Sequence, residues 1–157
     1  MYMDKMIEFS DAQAMTSKNS GVETVSTDIV DLGIAETDAY GTTILPNIGD
    51  AGELVWHVFL AAAHAGGSAT YTCELIAKST ASSMSASSTI IDSFIIPNAA
   101  AKGTHYQRPV PMNQMAASDR YMAVLYRSNT DTTDSITIDS WVSMDRDLTD
   151  TQFGAIV

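Results

Sequence analysis

Several things that carry chemistry in other proteins are scarce in this one. A single cysteine, Cys73, rules out an intramolecular disulfide, so oxidative folding plays no part. Basic residues are few: 8 Lys and Arg against 19 Asp and Glu leave a formal charge of −11. From Lys18 to Lys78 no basic residue intervenes, while eight acidic ones fall between them. Neutralising phosphates takes clustered Lys and Arg, so nucleic acid is excluded as a partner, and anionic membranes are disfavoured for the same reason. A basic partner surface would be attracted, and solubility alone also accounts for the excess of acid. No run approaches the ~20 apolar residues of a membrane-spanning helix. Asp4 and Glu8 stand where a secretory signal would be basic and then apolar, which implies synthesis in the cytoplasm.

Catalytic and metal-binding signatures are missing too. His57, His64 and His105 are the only histidines, and neither Cys73 nor any carboxylate joins them at a recognised metal-ligand spacing. Asp28 and Asp31 fall on opposite faces of a strand, which makes them a poor acid–base pair. Asp131 and Asp134 sit in a Thr- and Asn-rich turn where backbone hydrogen bonds explain them, and no EF-hand pattern supports calcium there. There is no Gly-x-Ser-x-Gly, no phosphate-binding glycine loop and no Cys–His pair with triad character. The expectation is a protein that is not an enzyme and needs no metal or cofactor.

What is present is a series of short β-prone runs divided by turn signals. They are Ile7–Ala14, Thr27–Leu32, Leu54–Ala63, Thr70–Lys78, Ile90–Ile96, His105–Val110, Tyr121–Arg127 and Ser135–Asp145. Thr70–Lys78 alternates, with Tyr71, Cys73, Leu75 and Ala77 on one face. Leu54–Ala63 and Tyr121–Arg127 are apolar on both faces, as in central strands covered on both sides. Pro109 and Pro111 cannot donate to a ladder and place their segment at a sheet edge. Residues 35–51 read as a turn-rich connection and 79–89 as an exposed Ser/Thr loop, with one helical turn at most near Ala99–Lys102. The fold expected is all-β: a single-domain jelly roll or β-sandwich of about eight antiparallel strands over residues 1–145, with 146–157 as a tail.

In the last strand Ile136, Ile138, Val142 and Met144 share one face, leaving Trp141 on the other with Thr137, Asp139 and Ser143. Either a second layer covers the indole or it anchors an interface. Tyr2 and the flexible apolar Met1, Met3 and Met6 raise the same alternatives at the N-terminus. The interface set is Tyr2, Met3, Phe9, Trp141 and Phe153.

Two runs carry a family likeness. IEFSDAQAMT, Ile7 to Thr16, followed by STDIVDLG, Ser26 to Gly33, resembles the opening of the bacteriophage capsid cement (decoration) protein family typified by the Bordetella podovirus cementing protein. Later strands match in order and at pattern level, so the likeness covers residues 1–145. The 35–51 loop is longer than in that family, and the 146–157 tail is an addition. The resemblance implies a jelly roll on the outer face of a tailed-phage capsid, bridging neighbouring major capsid protein subunits and stabilising the shell. It also implies self-association, with a homodimer expected and a homotrimer as the alternative. The rival reading is a virion-surface jelly roll that recognises host glycans.

Overall fold

The computed structural model describes residues 8–16, 23–33, 36–37, 39–41, 43–44, 54–65, 68–111, 114–116, 118–129 and 135–143. Eleven strands occur among them: β1 (Glu8–Thr16), β2 (Glu23–Val25), β3 (Val30–Asp31), β4 (Glu36–Thr37), β5 (Thr43–Ile44), β6 (Val55–Ala65), β7 (Tyr71–Lys78), β8 (Thr89–Ile96), β9 (His105–Pro109), β10 (Tyr121–Ser128) and β11 (Ser135–Ser143). Nine of them form two antiparallel sheets, and β4 and β5 pair separately. Sheet A runs β1-β11-β6-β9 and sheet B runs β2-β10-β7-β8, with β3 continuing beside β10. Counting β2 and β3 as one broken strand, and the small β4–β5 hairpin as an insertion, this is the two-sheet order of a jelly roll.

Period-2 alternation builds the core from both sheets. Trp56, Val58 and Leu60 of β6 and Ile136, Ile138 and Val142 of β11 face Tyr71, Cys73, Leu75 and Ala77 of β7 and Met122, Val124 and Tyr126 of β10. The two-faced pattern of β10 has a separate cause. On the outer side of sheet B, Ile76, Ala123 and Leu125 form a second buried cluster with Val25, Ile29 and Met84 packed on it. Met84 belongs to the Ser-rich connection between β7 and β8, so that loop covers apolar surface instead of simply facing solvent.

Other expectations need correction. The run Thr27–Leu32 is not one strand, because pairing with β10 breaks between Val25 and Val30. Ser26 bridges the gap: its N–H donates to the Val124 carbonyl at 2.7 Å, and its hydroxyl accepts from the Val124 N–H at 3.1 Å. Within 35–51 the β4–β5 pairing supplies short strands, turning through Ala39-Tyr40-Gly41 with Gly41 at φ 81°. The Ala99–Lys102 stretch makes turns and no helix.

The register gathers several chain features at one end. There β1 begins at Glu8 opposite Trp141, β6 begins at Val55 opposite both Ser143 and Pro109, and β10 begins at Tyr121 between Asp31 and Lys78. At this end the chain enters β1, leaves β11 and leaves β3, β7 and β9.

Candidate functional site

Phe9 is fully buried in the main core, which corrects its assignment to an interface. The register of β1 on β11 slips twice, between Glu8 and Ser10 and again between Ser10 and Gln13. The first bulge lets the consecutive residues Phe9 and Ser10 both turn inward. Ala12, at φ 47°, occupies the second, where its N–H donates to Asp139 Oδ1 at 2.6 Å. Strict alternation along β1 could not show this. Tyr2, Met3 and Phe153 lie outside the described residues.

The two runs that carry the family likeness are bonded to each other. Gln13 donates from Nε2 to the Val25 carbonyl at 3.1 Å, while its Oε1 accepts from the Ser10 hydroxyl at 2.6 Å and the Thr27 N–H at 3.1 Å. The Asp28 N–H donates to the Phe9 carbonyl at 2.9 Å, and Ser10 Oγ lies 2.9 Å from the Tyr126 hydroxyl across the core. Burial pushes the Tyr126 phenol far above its usual range, so it stays protonated as part of this network. FSDAQ and STD therefore stitch sheet A to sheet B along one margin. Their hydrogen bonds satisfy buried and part-buried polar groups where the two sheets meet.

Trp141 points outward from sheet A, on the face read from alternation, yet only 7% of it is exposed. In the isolated chain it is thus a buried residue, although it belongs to neither apolar cluster. Its indole lies parallel to the His57 ring (centroids 4.9 Å, 2° between planes) and stacks on His105 at 5.5 Å. His57 is cross-strand from Trp141 on β11, and His105 stands opposite Phe59 on the far side of β6.

The two imidazoles are joined directly. His57 Nδ1 lies 3.0 Å from His105 Nε2, His57 Nε2 lies 2.8 Å from Ser143 Oγ, and Gln107 Nε2 lies 3.4 Å from His105 Nδ1. An amide NH2 can only donate. One hydrogen is shared between His57 Nδ1 and His105 Nε2 and another between His57 Nε2 and Ser143 Oγ, with the direction of each set by the tautomers. A continuous chain Gln107–His105–His57–Ser143 results. Burial lowers the His105 pKa, which keeps that ring neutral near pH 7.

Serine, imidazole and a third group in sequence also describe a hydrolytic triad. Here, however, a second imidazole and not a carboxylate engages His57 Nδ1, His57 is fully buried, and the indole closes one ring face. The fully buried Cys73 thiol is held protonated by burial and by the adjacent Glu74 carboxylate. Among the described residues no group of three or more His, Cys, Asp or Glu side chains is placed to hold a metal ion.

Sequence reasoning named His57 and His105 without bringing them together. Both rings occupy outward strand positions, but alternation alone does not say that β6 pairs with β9. It also missed two exposed isoleucines on the outer side of β8, Ile90 (47%) and Ile95 (58%), and Tyr40 at 94% in the β4–β5 turn. The run Ile90–Ile96 has apolar pairs at both ends around Asp92-Ser93, and edge position with a bulge opposite Leu75/Ile76 sends one isoleucine of each pair inward and the other outward.

A family model described as Bbp16 matches residues 9–141, nearly the whole span from β1 to β11. The chain belongs to the Bbp16 family. The name points to a Bordetella phage protein, and the match makes this a phage-associated family member built as a β-sandwich. No curated protein matched the chain. The Bbp16 match starts at the core residue Phe9 and ends at Trp141, so it takes in both the stitched margin and the imidazole–indole stack.

Proposed function

We propose that this Bbp16-family protein is a structural virion component that binds the outer face of an assembled tailed-phage capsid. There it bridges neighbouring major capsid protein subunits. The observation that carries the reading is the family match over residues 9–141, together with the FSDAQ and STD runs that resemble capsid cement proteins. The acidic, weakly charged composition agrees with it, since such a surface packs among neighbours and leaves nucleic acid alone.

The mechanism is multivalent binding without bond chemistry. A homodimer, or failing that a homotrimer, seated on a local symmetry axis touches two or more shell subunits together. Each contact is modest, and linking them raises the effective concentration of the second and later ones. A clamp that recognises only the expanded, assembled shell stabilises that state by mass action. The protein is made in the host cytoplasm and ends on the capsid exterior.

Cosedimentation of the purified chain with expanded, DNA-free heads that lack it tests this reading. Saturable binding to expanded heads, and none to free shell subunits, is the expected outcome. Failure on heads combined with binding to host-cell polysaccharide would replace the clamp with glycan recognition.

A further inference from the structure

The outer face of sheet A carries a device that the capsid reading does not use. We propose that the His57–His105 imidazole pair is an acid-opened latch that holds edge strand β9 against β6.

The geometry sets the proton capacity. In the closed state a hydrogen bond runs between His57 Nδ1 and His105 Nε2 at 3.0 Å, so one of these nitrogens must lack a proton. The closed pair therefore holds at most one proton beyond its neutral form. With that proton added, both outer nitrogens, His105 Nδ1 beside Gln107 and His57 Nε2 beside Ser143, carry hydrogen. A second proton would set two N–H groups against each other at that distance. Once β9 lifts away, both rings are free to charge.

The surroundings of the pair act in two directions. The other titratable groups with described side chains on this outer face are Glu8 and Asp11 of β1, which begins opposite Trp141, and Asp139 of β11. Carboxylate charge in general favours a proton on a neighbouring ring. Burial of both rings opposes it, and for His105 burial prevails. Arg108 of β9 turns to the other face, toward Asp92 of β8, and adds no cation here. The Ser143 hydroxyl can donate or accept and adapts to either state.

Opening β9 thus takes up at least one more proton than the closed state does. A group that binds protons more weakly when closed contributes its full stabilisation above about pH 6.5, and that contribution declines as the pH falls. A one-proton difference raises the open population about tenfold per pH unit below about pH 6.

Hydrogen exchange on the full chain between pH 7 and 4.5, corrected for intrinsic rates, tests the latch. The β9 amides should lose protection about tenfold per pH unit while those of the central strand β10 hold. His105→Gln keeps a side chain able to hydrogen-bond His57 but removes the titrating ring, and it should flatten the β9 response. Unchanged β9 protection in the wild type, or an equal response in His105→Gln, overturns the proposal. Should that variant fold poorly, imidazole titration of the wild type by NMR decides. Two steps, the second tied to β9 opening, support the latch, and two independent titrations near the ordinary histidine value with β9 still closed refute it.

Discussion

The two margins of the sandwich are closed by different chemistry. On the β1/β2–β3 side, neutral groups do the joining: Ser10, Gln13 and Ser26 hydrogen-bond to backbone and to Tyr126. On the β8/β9 side, Arg108 reaches from sheet A to Asp92 in sheet B as a two-point ion pair, its second contact 2.9 Å long. Phe94 packs there against Trp56 and Tyr106 at 5.2 and 5.0 Å, and the imidazole pair sits on the outside of β9. Among the described residues the hydrogen bonds that join the first margin run between uncharged groups, whereas the second margin is ionic and carries imidazoles. One fold therefore has a permanent seam and a conditional one.

The largest test of this contrast is Gln13→Ala. It removes three hydrogen bonds and leaves the Val25 carbonyl and Thr27 N–H to find other partners, at a cost of about 2–3 kcal/mol. Chemical denaturation should show the same loss at pH 5 and pH 8, because no member of that network changes charge between them. A loss confined to one pH would erase the distinction between the margins.

Arg108→Ala comes next, at about 1–2 kcal/mol. It strands a carboxylate whose side chain is 16% exposed, although the guanidinium itself is half in water. The pairing raises the Arg108 pKa, so the guanidinium stays charged at any working pH and the pair can weaken only through its carboxylate or through salt. Denaturation midpoints in low and high salt should therefore move in the wild type and converge on the variant's.

The smallest effect belongs to Asp31→Asn. The Arg120 guanidinium, with its Nη2 2.6 Å from Asp31 Oδ2, and the Gly33 N–H hold the Asp31 carboxyl down at about 2. A depressed carboxyl stabilises above its unfolded value and stops doing so as the pH drops through the folded one. The contribution is then complete above about pH 4 and lost toward pH 2. Both partners are substantially exposed, so the loss stays below about 1 kcal/mol. Acid unfolding of the two proteins should coincide at the lowest pH and separate above pH 4. This places the Asp31–Arg120 pair near the first margin outside the range where the imidazole pair responds.

How far each margin can be read from the sequence follows from distance along the chain. Gln13 and Thr27 are 14 residues apart in two recognisable runs, so the stitched margin announces itself even though its hydrogen bonds do not. His57 and His105 are 48 residues apart, and they meet only because β6 pairs with β9 while β7 and β8 belong to the opposite sheet. Phe9 was misplaced for a third reason. A β-bulge changes which way a side chain points without leaving a mark in the residue pattern.

By itself, the sequence determined the all-β class, the inward faces of β7 and β11, the edge position of β9 and the family. All of these rest on local properties: period-2 alternation, a ring that cannot donate, and runs of adjacent residues. The tertiary structure decided which strands neighbour one another, that Phe9 turns into the core, that Met84 covers the outside of sheet B, and that two distant imidazoles share a hydrogen bond. Those outcomes depend on long-range register, and alternation is satisfied equally well by many pairings of the same strands.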